Sequence, residues 1–192
     1  MFGFGKKRNE DAYLTNEGIA CRKRGEVDKA LELHFKALEI RVEKNDDFKI
    51  GCSQENIGNC YRDKGELEKA DSYYIASEES FSKSDVKAKD WANLSYSHAK
   101  CLMEMKAYQR SEDMFISACN YYLEFLDAES DEVLNCYKGL ANCYYALGKE
   151  EKYYAIKEVI DYLDNPESST DLKGKVKTTV DSIIFDQSDD SS

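Results

Sequence analysis

The chain has 192 residues, 42% of them hydrophobic and 34% charged, enough for a sizeable core and too apolar for a disordered chain. Its formal net charge of -11 excludes whole-surface attraction to nucleic acid or to an anionic membrane. A single proline, Pro166, lets helices run almost unbroken.

Residues 1–10, "MFGFGKKRNE", are small, basic and glycine-containing, and are expected to be flexible. They hold no long apolar run, so they read as neither a signal peptide nor a membrane span. The second residue is Phe2, which does not suit a myristoylation signal. A cytoplasmic location is expected.

From residue 11 the chain repeats itself. "EGIACRKRGEVDKA" (17–30), "IGNCYRDKGELEKA" (57–70), "HAKCLMEMKAYQRS" (98–111) and "LANCYYALGKEEKY" (140–153) align. Their turn positions, Gly25, Gly65, Lys106 and Gly148, are spaced by 40, 41 and 42 residues. A period of that size marks a helical solenoid. Each repeat reads as a helix, a tight turn and a second helix. The repeats are placed at about 11–45, 46–84, 87–128 and 130–166.

Repeat one carries Val27, Ala30, Leu31, His34 and Leu38 along its second helix. Repeat two does the same with Leu67, Ala70, Tyr73, Tyr74 and Phe81. Repeat three uses Tyr108, Phe115 and Ala118; repeat four uses Tyr144, Leu147, Tyr153 and Ile160. Such spacing predicts one buried stripe per helix. Gly18, Gly58, Ala99 and Ala141 share one place on the first helices. With no bulk there, the paired helix can cross closely. Ala30 and Ala70 are the expected facing half of that contact.

This pattern of small residue, aromatic, turn glycine and alanine resembles the tetratricopeptide repeat. The resemblance rests on Gly18, Gly25, Ala30 and Ala37 in repeat one, and on Gly58, Tyr61, Gly65, Ala70 and Tyr74 in repeat two. Repeat three keeps Ala99, Phe115 and Ala118; repeat four keeps Ala141, Tyr144 and Gly148, with Pro166 near the end. The long period is similar to that of kinesin light chains and spindle-orientation adaptors. The resemblance implies an all-α, right-handed α-solenoid of about four helix pairs, acting as a protein-binding adaptor.

Beyond Pro166, Leu172, Val176, Val180, Ile183 and Ile184 recur at helical spacing. A capping helix is expected over residues 167–185, followed by an acidic tail, 186–192.

Seven cysteines are present, an odd number without a CxxC pair. They are expected to be small buried hydrophobes of a reducing compartment. Ligand pairs at zinc-like spacing are missing, and His34 and His98 are the only histidines. Both fall on packed repeat positions. No metal, cofactor, catalytic set or enzymatic activity is expected.

The candidate site is the face that each first helix turns inward. It gathers Arg22, Arg62, Lys100 and Lys138 in a chain that is acidic overall. Those cations would steer an acidic peptide. Asn59 and Asn142 present amides that both donate and accept, and the resemblance implies that they clamp a peptide backbone. Tyr96 and Tyr145 would add apolar contact. The expected partner is a protein or peptide of acidic character; a monomer or weak homo-oligomer is expected, without nucleic acid or membrane. Two alternatives stand beside this reading. The chain assembles through its C-terminal end, or its acidic tail occupies the groove.

Overall fold

The computed structural model describes residues 10–164; the expected capping helix and acidic tail lie outside them. All described regular structure is α-helical, in eight helices. The chain divides at Lys87/Ala88 into two units. The first contains α1 (Glu10–Lys23), α2 (Val27–Glu43), α3 (Asp47–Asp63) and α4 (Leu67–Phe81). The second contains α5 (Ala88–Glu104), α6 (Tyr108–Leu123), α7 (Asp131–Leu147) and α8 (Glu150–Asp164). Within each unit, helices pack on their chain neighbours. The first helices of the two pairs also touch, α1 against α3 and α5 against α7.

The tight turns follow from one backbone device. Gly25, Gly65 and Gly148 take φ of +80°, +75° and +69°. The amide after each glycine closes back on the helix: Glu26 donates to the Cys21 carbonyl at 3.0 Å, Glu66 to Tyr61 at 3.0 Å, and Lys149 to Tyr144 at 2.9 Å. These bonds satisfy carbonyls that the helix end leaves open. Lys106 adopts φ +61° without being glycine, and Ala107 closes the same bond to Leu102 at 2.9 Å. Two helix starts are capped by side chains. Asp46 accepts from the Lys49 amide, and Ser130 from the Val133 amide.

The small residues act as expected, but their closest partners differ from those the sequence suggests. A Cβ on Gly18 would lie 2.6 Å from the His34 ring, and one on Gly58 would lie 3.0 Å from Tyr74. The facing group is therefore the ring four residues beyond Ala30 or Ala70. Both alanines are fully buried. In repeat three, Ser111 stands where alanine is expected, and its hydroxyl donates to the Ala99 carbonyl at 2.8 Å.

The first unit's core contains Cys21, Leu31, Ile57 and Cys60. The second is built on Phe115, Tyr137, Leu140, Tyr144 and Ile156. None of the seven cysteines forms a disulfide, and all but Cys52 are buried. No described helix is long and apolar enough to cross a membrane.

Two substitutions test this packing. Lys106→Gly is expected to stabilise the second unit by about 0.5–1 kcal/mol, because relief of left-handed strain exceeds glycine's entropic cost. Gly139→Ala is expected to destabilise it by about 1–3 kcal/mol, since its Cβ would fall 2.4 Å from the Phe115 ring. Urea unfolding of each variant measures both. A destabilised Lys106→Gly or a neutral Gly139→Ala would contradict these assignments.

Candidate protein-binding faces

All eight candidate residues lie on first helices, and each unit carries its own set. In the first unit, α1 supplies Arg22, and α3 supplies Asn59 and Arg62. Arg22 grips Asp63 with two nitrogens, Nε at 2.7 Å and Nη2 at 3.3 Å. Arg62 Nη2 approaches the same carboxylate at Oδ1, 3.7 Å away, the oxygen that Arg22 Nη2 also bonds. These cations are already engaged, and the Arg22–Asp63 pair ties α1 to α3. Asn59 is buried, and its Oδ1 accepts from the Tyr74 hydroxyl at 2.9 Å. Its acceptor oxygen therefore orients a core tyrosine, leaving the amide NH2 as the group that can address a ligand.

The second unit is more open. On α5, Tyr96 packs edge-on to Phe115 with ring centroids 5.8 Å apart, and Lys100 lies 5.7 Å from the Tyr96 ring centre. No carboxylate pairs with Lys100 among the described residues. On α7, Lys138, Asn142 and Tyr145 are all exposed, Tyr145 by 75%. They follow one another at helical spacing, so they form one stripe. Lys138 meets Asp164 at 3.1 Å, a solvent-exposed ion pair. Tyr145 leans on Tyr153, with ring centroids 5.6 Å apart.

Pairwise comparison of repeats explains the histidine. His34 in repeat one occupies the place of Tyr74 in repeat two, and Ile19 that of Asn59. Tyr74 has its asparagine. His34 has none, and neither ring nitrogen has a hydrogen-bond partner. Burial, with Arg22 and Arg41 nearby, lowers its pKa from 6.5 to about 4. His34 is thus a neutral packing group, not a base. Repeat three avoids the problem with apolar Phe115 at this place.

Sequence reasoning missed a buried ionic junction in the first unit. Arg41 donates to Asp11 at 3.3 Å, Thr15 at 2.8 Å, Ser53 at 2.8 Å and the Lys49 carbonyl at 3.0 Å. Lys44 adds a bond to Asp11 at 2.6 Å. One guanidinium therefore joins α1, α2 and α3. Burial alone would raise the Asp11 pKa, but the bonds from Lys44 and Arg41 outweigh it and hold it below the usual 3.8. A signal existed in the repeat: Gly51 and Phe81 stand where Asp11 and Arg41 stand one period earlier. Gly51 packs against Phe81, so one repeat closes by shape what the other closes by charge. No group of metal-ligating side chains occurs among the described residues.

Residues 14–48 match the tetratricopeptide repeat family model, and no curated protein matches the chain. Among solved structures, BtubC (BKLC) from P. vanneervenii is 18% identical with a TM-score of 0.72; the match covers 81% of this chain and 63% of that one. A P. anserina protein of the kinesin-light-chain type, with nearly identical TPR-like repeats, is 15% identical with a TM-score of 0.67 over 88% of this chain and 82% of that one. A point variant of it gives 16% and 0.67, with coverage of 83% and 76%. One stretch of the chain thus matches the tetratricopeptide repeat, and the described residues share the fold of these helical-repeat proteins. The fold is that of kinesin-light-chain-like repeat proteins.

The two buried ionisable sites separate by pH. The His34 pKa falls on folding, so the unfolded chain binds the extra proton. Stability is then full above about 6.5 and is lost as pH falls toward 4. The shift is worth on the order of 3 kcal/mol. His34→Phe is expected to remove this slope, and Ile19→Asn to flatten it by giving the imidazole an acceptor. The Asp11 contribution is lost only below 3.8. Urea midpoints of the first unit from pH 7 to 4 check this, and an unchanged slope in both variants would contradict it. Asp11→Ala at pH 7 is expected to cost about 3 kcal/mol by leaving Arg41 without its buried counter-charge.

Proposed function

We propose that the chain is a protein-interaction adaptor that binds an extended, acidic segment of a partner along its first helices. The carrying observation is the exposed stripe Lys138–Asn142–Tyr145 on α7. Buried positions on the same helix, such as Tyr137, Leu140 and Tyr144, already hold it to the core, so the stripe is spare surface. It combines a cation, a two-way amide and a large amphipathic ring, the groups that suit an extended peptide. Lys100 on the neighbouring α5 extends it with a second cation.

The acidic preference rests on Lys100 and Lys138. Asp164 meets Lys138 in an exposed pair, which a partner carboxylate can replace at little cost. Arg22 and Arg62 contribute less, because Asp63 already neutralises much of their charge. Each unit carries a further proposed contact of its own, the Asn59 amide in the first and the half-buried Tyr96 ring in the second. Tetratricopeptide-type repeats support an adaptor role, and nothing in the chemistry of these faces calls for catalysis.

Binding of a short peptide rich in Asp and Glu, followed at low and high salt, tests the reading. Lys100→Glu/Lys138→Glu is expected to weaken binding about tenfold and to flatten its salt dependence. Affinity and salt slope equal to those of the native chain would overturn it.

A further inference from the structure

We infer that the face formed by the end of α7 and by α8 is a docking surface for the chain's own lysine-bearing stretch, residues 172–180. Tyr145 and Tyr154 are 75% and 67% exposed. They flank Tyr153, whose ring lies 5.6 Å from one and 5.3 Å from the other. Two adjoining hollows of about 540 and 130 Å³ open between these rings. Large aromatic clusters left in water mark contact surfaces.

The rims of these hollows are acidic. Glu158 and Asp161 border the larger, and Glu150 the smaller. Lys157 answers Asp161 at 3.1 Å, whereas Glu150 and Glu158 have no ion pair among the described residues. Aromatic faces beside carboxylates attract an ammonium group through both the ring quadrupole and charge.

The sequence supplies a matching occupant. Residues 172–180 read "LKGKVKTTV": three lysines, no acid, and apolar residues between them. The geometry permits the return. Lys173 lies nine positions beyond Asp164, a reach of up to about 30 Å. α8 has 15 residues and is roughly 22 Å long. The stretch can therefore lie back along the whole helix, with Lys173, Lys175 or Lys177 against the tyrosines. Tyr145 also belongs to the stripe proposed for a partner, so the two occupants would compete for it; the test below contains no partner, and its failure would leave the partner reading untouched.

Carbodiimide cross-linking of the full chain, read by mass spectrometry, tests it. Equal parts of isotope-labelled and unlabelled chain separate links within one molecule from links between two. The expected result is intramolecular linkage of Lys173, Lys175 or Lys177 to Glu150 or Glu158. A Tyr145→Ser/Tyr154→Ser variant, with unchanged helical circular dichroism, should lose that linkage several-fold. No such linkage, linkage between copies, or linkage indifferent to loss of the tyrosines would overturn the inference.

Discussion

The close approach of a backbone to a ring is the contact on which both helix pairs of the first unit depend. Gly18 admits the His34 ring at a distance that leaves no room for a methyl group, and Gly58 admits the Tyr74 ring with only a tight fit to spare. Once that crossing is set, the first helix cannot rotate without driving a Cα into an aromatic face. The following residue on the helix is thereby fixed too. In repeat two it is Asn59, turned so that it accepts from Tyr74. Packing thus decides how much of a polar side chain remains for a partner.

The same constraint explains how the faces differ. In the first unit the candidate polar groups are tied inward: Asn59 to Tyr74, and Arg22 to Asp63. The unit also closes around Arg41, a buried cation satisfied from three helices. In the second unit Phe115 and Tyr144 fill the core. Phe115 has no polar group to satisfy and the buried Tyr144 hydroxyl has no hydrogen-bond partner, so neither engages α7's outer stripe, and Lys138, Asn142 and Tyr145 stay exposed. Exposed candidate groups therefore concentrate on the second unit.

Much of the architecture was legible because repetition reports backbone need. Left-handed turns demand glycine, so Gly25, Gly65 and Gly148 announce themselves, and Lys106 is recognised by register alone. Crossing points demand small residues, which are equally visible. The nearest partners of Gly18 and Gly58 lie one helical turn beyond the alanines, because sequence spacing does not say how far a side chain reaches. The placement of the eight candidate residues on first helices follows from the same register. Their engagement does not. Asp63 carries no motif, yet it takes up two of the four cations. Asp11 and Arg41 read as ordinary charged residues until α1, α2 and α3 are brought together.

Nuclear magnetic resonance mapping on the labelled full chain would test the central claim most directly. An Asp- and Glu-rich peptide would be titrated while backbone amide and tyrosine ring signals are followed. The account expects shifts clustered at Lys100, Lys138, Asn142 and Tyr145, with smaller changes at Asn59 and Arg62. Shifts confined to second helices, or no saturable shift at all, would contradict it.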